Sequence, residues 1–63
     1  MDQSSNILSI TERGECIGFI VPRGPTGFEA YTADEKSLGI YAETNVAVVM
    51  IWRYAHGQPI EVH

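Results

Sequence analysis

Residues 43–59, ETNVAVVMIWRYAHGQP, decide the fold. By content the segment leans towards a strand. Val46, Val48, Val49 and Ile51 are β-branched, and such side chains are stiff at χ1 and fit a pleated surface. By punctuation it is a helix. Glu43-Thr44 offers a cap with an acid beside it, and His56-Gly57 followed by Pro59 offers a stop. The dozen or so residues between these signals also suit a helix better than a strand. Both ends are marked as helix ends, and the sequence predicts a helix over 44–56.

Upstream, the pattern changes to a period of two. Ile7, Leu8 and Ile10 suggest a first strand, which ends at TERGE, where Gly14 marks a turn. CIGFIV forms a second, with Ile17, Phe19 and Val21 on one face and Cys16, Gly18 and Ile20 on the other. Pro22 stops it for want of a ladder donor, and RGPTG follows as a loop. Phe28, Ala30 and Thr32 alternate with Glu29 and Tyr31 in a third strand. After the polar connection TADEKS, Leu38, Ile40 and Ala42 alternate with Gly39 and Tyr41 in a fourth. A regular period expects Phe28, Leu38 and Ile40 on the core wall and Tyr31 and Tyr41 on the opposite face.

The expected architecture is therefore α+β: a three- or four-stranded antiparallel meander over 7–42, followed by one C-terminal helix packed on one sheet face. Residues 1–6 read as a polar arm and 57–63 as a tail, all within a single domain of 1–63. On helical spacing Ala47, Met50, Ile51 and Tyr54 form one stripe, while Val48, Val49, Trp52 and Ala55 fill much of the rest. Such a helix is apolar nearly all round, yet a single sheet buries one side only. The other side calls for cover, either from a second copy across a two-fold axis or from Arg53 and the tail. Val48, Val49, Trp52 and Arg53 are accordingly the candidate protein interface, arginine and tryptophan being enriched at binding hot spots.

Composition narrows the function classes. At 63 residues the chain is close to the smallest that folds without metal or disulfide, and 44% apolar with 19% charged residues is a globular composition. The net charge of −4 opposes non-specific attraction to phosphate backbones and anionic membranes. Cys16 is the single cysteine, so an intramolecular disulfide is impossible, and with His56 and His63 it falls short of a zinc quartet. The longest uncharged apolar run, Val46 to Trp52, is too short to span a bilayer. The opening MDQSSN does not read as a basic-then-apolar leader, and the expected setting is the reducing cytoplasm.

No spacing places a base beside a nucleophile, and neither an enzyme activity, a cofactor nor a small-molecule substrate is expected. Cys16, flanked by Glu12 and Glu15, reads as a small structural residue rather than a nucleophile. Asp34-Glu35 reads as a solvated turn pair with too few oxygens for a metal. Two similar segments, Arg13-Gly14…Gly18-Phe19 and Arg23-Gly24…Gly27-Phe28, could bring Arg13 and Arg23 to one sheet edge to grip an anion. Together with Tyr31 and Tyr41 as base-stacking platforms, they make nucleic-acid binding the alternative function. The acidic balance and Glu29, Asp34 and Glu35 in the same hairpin weigh against it.

The order strand, strand, strand, helix, carrying the pattern GFEAYTADEKSLGIYAETNVAVVM, resembles two groups. One is the plant ethylene-response-factor DNA-binding domain with its phage-integrase amino-terminal relatives. The other is a set of short, uncharacterised α-proteobacterial proteins with a similar FEA…SLG-aromatic core. The resemblance covers about Gly14 to Ala55 and implies strands packed on one helix. The DNA-binding families present several arginines and a tryptophan from the sheet. The matching strands here hold Glu29, Tyr31 and Tyr41, so the resemblance implies the fold and carries over no DNA-contacting set. The expected function is a non-enzymatic protein-interaction module that associates with itself.

Overall fold

A computed structural model describes residues 7–57, and the arm 1–6 and the tail beyond 57 lie outside the described residues. Four strands form one antiparallel sheet in the order β1-β2-β3-β4, and a single helix packs on one of its faces. The strands are β1 (Leu8–Glu12), β2 (Glu15–Pro22), β3 (Phe28–Thr32) and β4 (Ser37–Tyr41), and the helix is α1 (Thr44–Ala55). A 3-10 turn, Gly24–Thr26, joins β2 to β3. The domain is thus the α+β meander-and-helix that the alternation and the helix punctuation predict.

The β1–β2 hairpin turns on Arg13 (φ 54°) and Gly14 (φ 83°). Two consecutive positive-φ residues make the primed turn whose twist matches that of the strands it joins. The β3–β4 connection closes with Thr32 N–H on the Lys36 carbonyl (2.9 Å) and Glu35 N–H on the Thr32 carbonyl (2.9 Å). The helix begins at Glu43, whose side chain makes no capping bond, and ends with His56 N–H on the Trp52 carbonyl (3.0 Å). Gly57, at φ 74°, then leaves the helix in the left-handed region.

α1 runs over β3, with β2 and β4 on its flanks, and leaves β1 largely uncovered. Ala47 and Ile51 face Ile20, Ala30 and Thr32, which are all buried. The approach is close at Gly18. A β-carbon there would stand 2.5 Å from the Tyr31 carbonyl oxygen and 2.6 Å from Cγ2 of Ile51, so only glycine admits the helix. Thr32 is the polar member of this layer, 1% exposed. Its hydroxyl donates to Asp34 Oδ1 (3.0 Å) and accepts from Lys36 N–H (3.0 Å), so burial leaves it satisfied.

Two bulges break the regular period. Ile10 and Thr11 of β1 oppose Gly18 and Cys16, which makes Ile17 an extra residue; Ala30 and Tyr31 oppose Gly39 and Ser37, which makes Leu38 another. Both extra residues pack against the core. The second bulge corrects the expected face assignments of β4. Ile40 stands opposite Glu29 on the open face and is 45% exposed, so it is not part of the core wall with Phe28 and Leu38. Tyr41 stands opposite Phe28, on the helix side, and packs against the core with its hydroxyl donating to the Leu38 carbonyl (2.7 Å). It does not share a face with Tyr31. Cys16, expected as a packed structural residue, is exposed near the hairpin, with its thiol 3.4 Å from the Gly18 carbonyl.

Candidate protein-interaction surface

The residues with unspent binding potential lie on two surfaces. The first is the solvent side of α1. Turned away from Ala47 and Ile51 at 100° per residue are Val46, Val49, Trp52 and Arg53. Val49 and Trp52 are 46% and 43% exposed, and Val46 and Tyr54 are also open. Of the expected interface, Val49, Trp52 and Arg53 share this side. Val48 does not: it is half-buried and packs on the core, one step round the helix. At the end of the row the Trp52 indole packs on the His56 ring with centroids 4.2 Å apart and the planes tilted by 31°. His56 Nε2 in turn lies 2.9 Å from Glu12 Oε1, a contact that fastens the end of α1 to the end of β1.

The second surface is the open face of the sheet. Phe19 and Tyr31 are cross-strand partners with rings stacked at 5.1 Å and 8° between planes. Arg23 folds over the end of β3, its Nε donating to Glu29 Oε1 (2.8 Å) and its terminal nitrogen to the Tyr31 hydroxyl (2.8 Å). Ser37 Oγ donates to the other carboxylate oxygen of Glu29 at 2.6 Å. These donors, Ser37 before Arg23, hold the Glu29 carboxyl below the usual carboxylate range, and the bonds to Glu29 and then to the Tyr31 hydroxyl push the Arg23 guanidinium up. Periodicity placed Tyr31 here correctly. The Arg23–Glu29–Ser37 chain was missed because its members come from three separate elements.

This geometry bears on the nucleic-acid set. Arg23 and Tyr31 are together, but Arg23 is engaged by Glu29. Arg13 sits at the β1–β2 turn, at the other end of the eight-residue β2 and so about 25 Å from Arg23. Tyr41 is on the other face. The two arginine loops therefore do not meet at one edge, because a single strand, β2, joins them and carries the chain from one end of the sheet to the other. Among the described residues, no group of three or more His, Cys, Asp or Glu could hold a metal ion, and no helix is long and apolar enough to cross a membrane. No protein-family model matches the chain, and no curated protein or solved structure is significantly similar to it.

Proposed function

We propose that the protein is a small non-enzymatic interaction module that pairs with a second copy of itself through the solvent side of α1. One observation carries this reading: Val46, Val49 and Trp52 form an exposed apolar row that no described residue covers. Scattered exposed apolar residues are ordinary, but a contiguous row that ends on tryptophan with Arg53 beside it has the composition of an interface. A reducing cytoplasm suits the chain, since the exposed Cys16 remains a thiol there. Kinship with the short bacterial proteins belongs to the same proposal and rests on the shared order of strands and helix.

The nucleic-acid alternative draws less support, since its four residues are divided between two faces and two ends of the sheet. The test of self-association is sedimentation equilibrium at high micromolar concentration. The wild-type chain is expected to be a dimer, and Trp52→Glu a folded monomer by circular dichroism. A wild type that sediments as a monomer ends this reading.

A further inference from the structure

The sheet has room for two helices, and among the described residues it carries one. Strands lie about 4.8 Å apart, so β3, beneath α1, and β1 are about 10 Å from each other. Packed helices take about 8–10 Å between axes, so a second helix laid over β1 would sit at normal distance from α1. The floor at that place is apolar. Leu8 is opposite Ile20 and Ile10 is opposite Gly18, so both point to the helix-bearing side. Ile10 reaches the core, whereas Leu8 is 49% exposed for want of a helix above it. The wall is the Trp52–His56 flank of α1, which the His56–Glu12 contact places on the β1 side.

The occupant must bring an apolar helix of matching length. α1 itself has twelve residues and is about 18 Å long, and the five-residue β1 is about 17 Å. Its outer row of Val46, Val49 and Trp52 supplies the apolar face. We propose that two copies pair by each laying α1 over β1 of the other, forming a sheet, a layer of two helices and a second sheet. This rests on the self-association reading and adds the seat. The two-fold axis runs between the helices and along them, because that placement exchanges the sheets and keeps the helices side by side. The helices are then parallel, and Trp52 meets its own counterpart. α1 begins near the Tyr41 end of the sheet, towards which Leu8 also lies, so the first turns of the incoming helix, with Val46 and Val49, come down on Leu8.

Sedimentation of two variants and their mixture tests the seat. Leu8→Glu and Val49→Arg each place a charge in both copies of the contact, and each is expected to weaken the dimer about 100-fold. An equimolar mixture is expected to recover it, because the mixed dimer pairs the new glutamate with the new arginine at one contact and keeps Leu8 and Val49 at the other. Should either variant fail to fold, Leu8→Cys mixed with Val49→Cys, both in a Cys16→Ser background, reads the same contact as a disulfide between unlike chains. If Leu8→Glu dimerises like the wild type while Trp52→Glu does not, or if the unlike chains neither associate nor cross-link, the seat is elsewhere and self-association stands. A monomeric wild type, its shelf left to another protein, removes both.

Discussion

The two faces of the sheet are built on opposite rules. Under the helix stand Gly18, Ile20, Ala30 and Thr32, a mostly small and tightly covered set. On the open face stand Phe19, Tyr31, Arg23 and Glu29, large residues bonded or stacked to each other. The polarity of Arg23 and Glu29 does not by itself set the difference in side-chain size. Distance does. A helix is held at the height of the tallest side chains beneath it, so its approach over β2 and β3 requires glycine and alanine there. Long side chains are admitted where nothing is packed on top, and they then need partners of their own.

Substitutions that exchange the two rules should break this contrast in order of severity. Gly18→Ala is the most severe. Its methyl meets a backbone carbonyl and the fixed Ile51, so α1 or β3 must move, and a loss of about 3 kcal/mol is expected in urea unfolding. An unchanged midpoint would mean that the helix does not press on the sheet at this point. Thr32→Val keeps the shape and removes the hydroxyl that receives the Lys36 N–H. About 1–2 kcal/mol should be lost, with the amide-exchange rate of Lys36 rising; equal exchange in the two proteins would deny the bond.

The open face should respond least, and through pH. Glu29 is held ionised by Ser37 and Arg23, so its carboxyl titrates below its unfolded value. Its contribution to stability is complete above the ordinary carboxylate range and disappears as pH falls through the lowered value. Melting temperatures of the wild type and Glu29→Gln should therefore differ near neutrality and converge in acid, from about pH 5 downwards. A difference that is constant with pH would trace the effect to packing. The shift should be small, because the pair is on the surface and screened by solvent.

Much of the fold could be read from local signals. Gly14 and Pro22 set the first hairpin, and the acid-Thr start and His-Gly stop fixed α1 in spite of its five β-branched residues. Propensity is worth only tenths of a kcal/mol per residue, and burial of Ala47 and Ile51 on the sheet overrides it. The candidate surface was legible in part. Val49, Trp52 and Arg53 follow from helical period alone, but the half-burial of Val48 depends on where the axis of α1 lies. Ile40 and Tyr41 were misplaced because a period of two assumes unbroken pairing, and the extra residue Leu38 shifts the register after it.

The sequence by itself determined the order of elements, the ends of the helix and its double-sided apolar character. These are encoded within spans of a few residues, in turn chemistry, capping and spacing. Only the tertiary structure decided which side of the sheet Tyr41 and Ile40 occupy, that Arg13 and Arg23 are held apart, and that β1 projects beyond the helix with Leu8 exposed. Each of these depends on how one strand registers against another or on the breadth of a sheet against the width of a helix. Such relations arise between distant segments, and no short window of residues contains them.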